Sequence, residues 1–333
     1  MMILFSKNTI LCSLAFLLLM AYAPSLSAQL KKAQEKEFAI REDSLKKFAN
    51  AIVFANEPEQ RFRADSIFVR MLVRTLKLNN SFYYPLDSLQ TISKLYSPDS
   101  AFRIFTWQLK KDELFYLQRG AIQMRTADGS LKLIPLHDAS MFTSKPMDSL
   151  RTPNNWIGAI YYRIILKEVN GKKIYTLLGF DDFSIESNKK WMEILTFNDR
   201  GEPVFGGPYI SFREDSAKAS KQPRVRFSIE YKKEASTTFN FDPALDMIVY
   251  DQLISETEEP DKKESYVPDG DFEGFKWKDG VWMHVPKVFD FKLQDGQFPQ
   301  DQKILDDAGG VDEQKLMEQS EKNQQKKPAA KKK

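Results

Sequence analysis

Cysteine and histidine are nearly missing from this chain: one Cys and two His in 333 residues. Cys12 lies inside the longest apolar run, residues 10–23, broken only by Ser13. Lys7 ahead of that run and the small-residue exit Pro24-Ser25-Leu26-Ser27-Ala28 behind it follow the order of a secretory signal peptide. The run falls short of the roughly 20 residues a membrane helix needs. Cleavage is expected after Ala28, with Ser27 as the neighbouring alternative, and it removes the only cysteine. The mature chain then has no disulfide, no thiol nucleophile and no thiolate metal ligand. A lipid-modified cysteine is excluded too, because Cys12 sits within the run instead of behind it.

His137 and His284 are too few for a zinc site built from several imidazoles, and no G-x-S-x-G elbow accompanies either. His137 ends an apolar strand-like run and His284 lies within another, so both are read as structural. Gly206-Gly207-Pro208 lacks the Lys and following helix of a phosphate loop and marks a bend. No cofactor and no metal is therefore expected. Aromatic residues are plentiful, with 25 Phe, 12 Tyr and 5 Trp, which predicts an aromatic core large enough to dispense with disulfides.

Charge is close to balance but unevenly placed. The whole chain is +3; setting aside Lys7 and the net +5 of the last 14 residues leaves the body near −3. Residues 320–333 are Lys, Gln and Ala without a large apolar side chain, a composition that does not offset the entropy of ordering. The tail reads as solvated, with contact to anionic envelope surfaces as the functional alternative. Nucleic acid is not an expected partner of an exported chain.

Residues 31–56 place Phe38, Leu45, Phe48, Ala49, Ile52 and Val53 mostly at helical spacing. Pro58 suits the first turn of a second helix carrying Phe62, Ile67, Phe68, Met71, Leu72 and Leu76. A third helix is expected near Pro85, where Leu86, Leu89, Ile92 and Leu95 recur every three residues. Beyond Ser100 the period changes to two. Asn170-Gly171, Asp128-Gly129 and Lys278-Asp279-Gly280 supply hairpin turns, and residues 224–231 alternate Val225, Phe227, Ile229 and Tyr231 with Arg224, Arg226, Ser228 and Glu230. About ten strands, paired in sequence, follow from this pattern. The expected class is α+β: N-terminal amphipathic helices followed by a predominantly antiparallel β-meander, as a curved sheet, sandwich or partial barrel. The expected organisation is a signal peptide over 1–28, a helical segment over 29–98, a β domain over 99–298 and a polar tail over 299–333.

Two acidic features invite a chemical reading. Asp181, Asp182 and Glu186 cluster between two strands as a possible carboxylate pair, although neighbouring Asp residues in a strand point to opposite faces. The default for them is a polar turn. Asp269-Gly270-Asp271-Phe272-Glu273-Gly274 opens like a calcium loop, but the twelfth position is Gly280 and Lys276 and Lys278 oppose a cation. It reads as a glycine-rich strand entry. The weak catalytic candidates are thus Asp181, Glu186, Asp269 and Asp271. Residues 213–222 form a charged loop expected to be an exposed hairpin tip.

The run Tyr175-Thr176-Leu177-Leu178-Gly179-Phe180-Asp181-Asp182, then Lys189-Lys190-Trp191 and Pro203-Val204-Phe205-Gly206, resembles secreted Bacteroidota-type envelope proteins of unknown function. Val267-Pro268-Asp269-Gly270, Phe272, Gly274-Phe275 and Gly280 extend the resemblance over roughly residues 100–290. It implies an envelope location and a shared fold, and brings no activity or catalytic residue. The expectation is a periplasmic or cell-surface protein, soluble after signal cleavage, whose β domain binds a lipid, glycan or envelope protein without catalysis. The alternatives are a carboxylate-based hydrolase of envelope polysaccharide and a structural subunit of an envelope complex.

Overall fold

A computed structural model describes residues 30–112, 115–143, 146–147, 149–212 and 224–289. The expected signal peptide, the expected 213–222 loop and the expected polar tail lie outside these residues. The chain divides into two units, Met1–Val288 and Phe289–Lys333, and the fold below is that of the first.

Among the described residues two helices come first. Helix α1 (Lys32–Phe54) buries Phe38, Leu45, Ala49 and Ile52, and α2 (Pro58–Leu76) buries Ala64, Phe68, Leu72 and Leu76, a ridge four residues apart. Pro58 stands in the first turn of α2, where its missing N–H costs nothing. Arg61 of α2 caps α1: its Nη1 donates to the carbonyls of Ala55 and Asn56 at 2.8 Å each.

The third helix does not form. Leu86, Leu89 and Ile92 are buried as a stripe should be, but they sit in successive turns closed by Leu89 N to Leu86 O and Ile92 N to Leu89 O. Leu86 has φ +60°, which no right-handed helix accommodates. A spacing of three is met equally by a chain of tight turns, each turning one side chain inward. Leu95 belongs instead to the first strand.

Among the described residues fourteen strands, more than the ten expected, make three open sheets. Sheet 1 is the meander β1 (Ser93–Tyr96), β2 (Phe102–Lys110), β3 (Tyr116–Met124), β4 (Lys132–His137). Sheet 2 contains β5 (Ile160–Val169), β6 (Lys172–Asp181), β7 (Ser187–Phe197), β8 (Pro203–Phe205) and β10 (Phe227–Lys232). Sheet 3 contains β9 (Ile210–Ser211), β11 (Phe239–Asp242), β12 (Met247–Ser255), β13 (Tyr266–Lys278) and β14 (Val281–Val285).

Pairing is antiparallel except for β9 on β14, which is parallel, and it is not wholly sequential. After β8 the chain leaves sheet 2 for β9, then returns as β10 to the free edge of β7, giving the order β10-β7-β6-β5 with β8 on β7. The exit is made at Gly206 and Gly207, both at positive φ. A Cβ on Gly206 would stand 2.4 Å from the Val225 side chain, so the bend read from the sequence needs glycine there.

The layers stack in chain order. Helices α1 and α2 pack on Phe105, Trp107 and Leu109 of sheet 1. Phe102, Ile104 and Ile122 of sheet 1 meet Tyr175, Leu177 and Leu195 of sheet 2. On its other face sheet 2 presents Ile174, Leu178 and Ile194 to Phe239, Ile248, Phe275 and Trp282 of sheet 3. Sheet 2 is covered on both sides, and that explains why β6 reads as a continuous apolar run instead of an alternation. The Asn170-Gly171 hairpin forms with both residues at positive φ, as the turn requires. Arg226 departs from the reading of a wet face: it is fully buried just before β10, paired with Glu193.

Candidate functional site

Among the described residues, a concave feature lies where the edge strand β10 faces sheet 3. It encloses about 460 Å³ and is lined by Phe227, Ser228, Ile229 and Glu230 of β10 and by Tyr250, Asp251, Gln252 and Leu253 of β12. Four consecutive residues on each strand line it, so the cavity runs along strand edges and not only across their faces. β13 supplies Glu273; Phe212, Arg224, Lys263 and Tyr266 complete the wall.

Its apolar side belongs to an aromatic cluster. Phe227 lies 5.2 Å from Tyr250 and 5.0 Å from Phe275 between ring centroids, and Phe212 stacks on the imidazole of His284 at 4.6 Å. Cations stand on this wall: the Arg224 guanidinium lies 4.2 Å over the Phe212 ring, and the Lys263 ammonium 4.3 Å over Tyr266. Three carboxylates line it, Glu230, Asp251 and Glu273, and each is already engaged. Glu230 accepts from Ser187 Oγ at 2.7 Å and pairs with Lys189 at 3.1 Å. Asp251 accepts from Thr237 Oγ1 at 3.0 Å and from the Thr238 amide.

Behind this wall is a polar triangle that the sequence did not announce. Tyr250 O–H donates to Glu273 Oε2 at 2.7 Å, and His284 Nε2 lies 2.8 Å from the same oxygen and 2.9 Å from the tyrosine oxygen. With its proton on Nε2 the imidazole also donates to Glu273. The strand register makes this possible: β12 pairs Tyr250 with Glu273, and β14 pairs His284 with Phe275 two residues further along β13. The triangle orients Glu273 and holds the Tyr250 ring in the cavity wall. It bears out the structural reading of His284, while Glu273 and Tyr250 carried no signal of their own.

The four acids singled out from sequence lie elsewhere. Asp181 ends β6 and is buried against sheet 1, accepting from Gln118 Nε2 at 2.8 Å and from the Phe183 amide at 3.1 Å. Burial raises its carboxyl to about 6, the Phe183 amide opposing and Asp138 adding to the rise. Asp182 turns away to pair with Lys233, as expected of neighbours in a strand. Glu186 is exposed on the β6–β7 turn. Asp269 and Asp271 are exposed on β13, where the Asp271 amide donates to Asp269 Oδ1 at 2.9 Å. The segment resembling a calcium loop is strand throughout. The structure brings Asp181 and Glu186 to one hairpin and the other two to another sheet, and none of the four lines this cavity. Among the described residues no three His, Cys, Asp or Glu side chains converge as a metal site, and no helix is long and apolar enough to cross a membrane.

No family model matches the chain, and no curated protein or solved structure matches it significantly.

Proposed function

We propose that this chain is an exported envelope protein that binds a ligand without catalysis, in the cavity between β10 and sheet 3. The observation that carries the reading is the cavity's composition: aromatic walls from Phe212, Phe227, Tyr250 and Tyr266, with Arg224 and Lys263 on them, in a volume of about 460 Å³. Such a lining suits a ligand with an apolar acyl or aromatic body and an anionic group, the body displacing water from the rings and the anion meeting the two cations. A hydrolytic role finds less support, since the candidate acids occupy separate elements and the strand carboxylates in the wall are held by their own partners.

The test is titration of the full chain with the anionic aromatic fluorophore 1-anilinonaphthalene-8-sulfonate, with octanoate as competitor. Saturable binding that octanoate displaces is expected, weakened about tenfold in Arg224→Gln/Lys263→Gln, as the loss of charge-assisted contacts implies. Equal affinity in the wild type and the double variant would overturn the proposal. Native mass spectrometry of the chain purified from its own envelope then reads the natural occupant as an excess mass that disappears on denaturation.

A further inference from the structure

Sheet 2 carries a second hollow that shares no residue with the first. It encloses about 350 Å³ and is lined by Tyr162, Phe180, Lys190, Tyr231 and the segment Ala235-Ser236-Thr237. The register explains the assembly. Lys190 of β7 sits between Phe180 of β6 and Ile229 of β10 as their cross-strand partner, and Tyr231 follows two residues after Ile229 on the same face. Tyr162 occupies the irregularity between Tyr161 and Arg163, where β5 gains a residue over β6. Its hydroxyl donates to the Phe239 carbonyl at 2.6 Å, which fixes the ring across to sheet 3.

Lys190 is the unusual member. Its half-buried ammonium donates to the Thr237 carbonyl, and among the described residues no carboxylate lies within ion-pair distance of it. Its neighbour Lys189, on the opposite face of the strand, is by contrast paired with Glu230 at 3.1 Å. Burial lowers the Lys190 amine from its ordinary value, with Asp251 the charge that opposes the fall from a distance. The half-buried cation lines the hollow with three aromatic side chains and has one neutral acceptor in contact, Asp251 acting on it only beyond ion-pair distance.

We propose that this hollow is a second binding site, for a small carboxylate carried on a compact, flat apolar body. The carboxylate accepts from the Lys190 protons that Thr237 leaves over, and the body lies against Tyr162, Phe180 and Tyr231. The volume is at the lower end of the roughly 300–1,000 Å³ of small-molecule sites, so a single ring with one anionic group fits and a long acyl chain does not.

Benzoate is the probe and benzamide its neutral counterpart of the same shape, each titrated calorimetrically into the full chain. Benzoate is expected to bind saturably and at least tenfold more tightly than benzamide. Because benzoate also fits the larger cavity, the comparison is made in the Arg224→Gln/Lys263→Gln background, where Lys190→Met should bring benzoate down to the benzamide level and Lys190→Arg should retain the preference. Equal affinity for the two probes in that background, or a benzoate affinity that survives Lys190→Met in it, overturns the proposal. Should Lys190→Met not fold, acylation of Lys190 in the wild-type chain, mapped by mass spectrometry, decides instead. Protection by benzoate and not by benzamide is expected, and an unchanged acylation rate refutes the site. Because the two cavities share no residue, failure here leaves the reading of the larger one standing.

Discussion

Replacing Asp181 with Asn should stabilise this protein at neutral pH. The carboxyl is buried between sheets 1 and 2, and both hydrogen bonds it accepts, from Gln118 Nε2 and the Phe183 amide, fall on Oδ1. Asparagine keeps that oxygen and both bonds while removing a charge that burial and nearby Asp138 disfavour. The folded-state carboxyl lies at about 6 against an ordinary 3.8. At about 1.36 kcal/mol for each pH unit, the gap corresponds to about 3 kcal/mol. The sign follows from linkage: a carboxyl raised in the folded state binds its proton more tightly there, so its contribution is fully present below the unfolded value near 3.8 and is lost as pH rises through about 6. Wild type and variant should therefore unfold at similar urea concentrations near pH 4, diverge as pH rises from about 4 to 6, and differ above that by a constant amount of up to about 3 kcal/mol in the variant's favour. Urea unfolding followed by far-ultraviolet circular dichroism at several pH values measures the difference. A variant less stable than wild type at pH 7.5, or an offset that does not change with pH, would refute the assignment of a buried, strained charge.

Arg226 and Glu193 are buried partners at 2.9 Å, and among the described residues one polar atom of each, Nη2 and Oε1, has no hydrogen-bond partner. Arg226→Met alone should cost about 3–5 kcal/mol by stranding the glutamate, and Arg226→Met/Glu193→Leu should recover most of it; a double variant as unstable as the single in a denaturant double-mutant cycle would contradict this. Gly158 sits where an added Cβ would lie 2.0 Å from the Gln118 Cβ. Gly158→Ala should lower stability by about 1–3 kcal/mol through displacement of β3 from the segment before β5, and an unchanged thermal midpoint would show that the backbones separate freely there.

The features read correctly from sequence are those decided by neighbours along the chain. Pro58 announced α2 because its fixed φ and missing N–H suit a first turn. Asn170-Gly171 announced a hairpin because few other pairs accept two positive φ angles in succession. The alternation of Phe227, Ile229 and Tyr231 showed a one-sided strand because β10 is the edge of its sheet, with one face partly wet. The failures have equally local causes. The three-residue stripe from Leu86 to Leu95 records burial, which helices and successive tight turns both satisfy. Arg226 was placed on a wet face because the alternation gave no sign of Glu193 waiting 33 residues away.

The candidate site was the least legible part. Tyr250, Glu273 and His284 come together only because β12, β13 and β14 pair in one particular register, and a shift of one residue would turn each side chain to the other face. The acids that stood out by their crowding along the chain, Asp181, Glu186, Asp269 and Asp271, were conspicuous because turns and strand entries collect charge, which is a property of solvent exposure more than of chemistry.

Composition alone determined that residues 29–333 carry no thiol, that any imidazole chemistry rests on His137 or His284, and that aromatic side chains build much of the interior. Those conclusions depend on what is present and need no geometry. The tertiary structure decided the rest: that sheet 2 is covered on both faces, that β10 returns to the edge of β7, and that cations stand among aromatic rings along that edge and beneath it. Contacts between residues far apart in the chain arise from the packing of whole layers, and no window of sequence contains the layers it will meet.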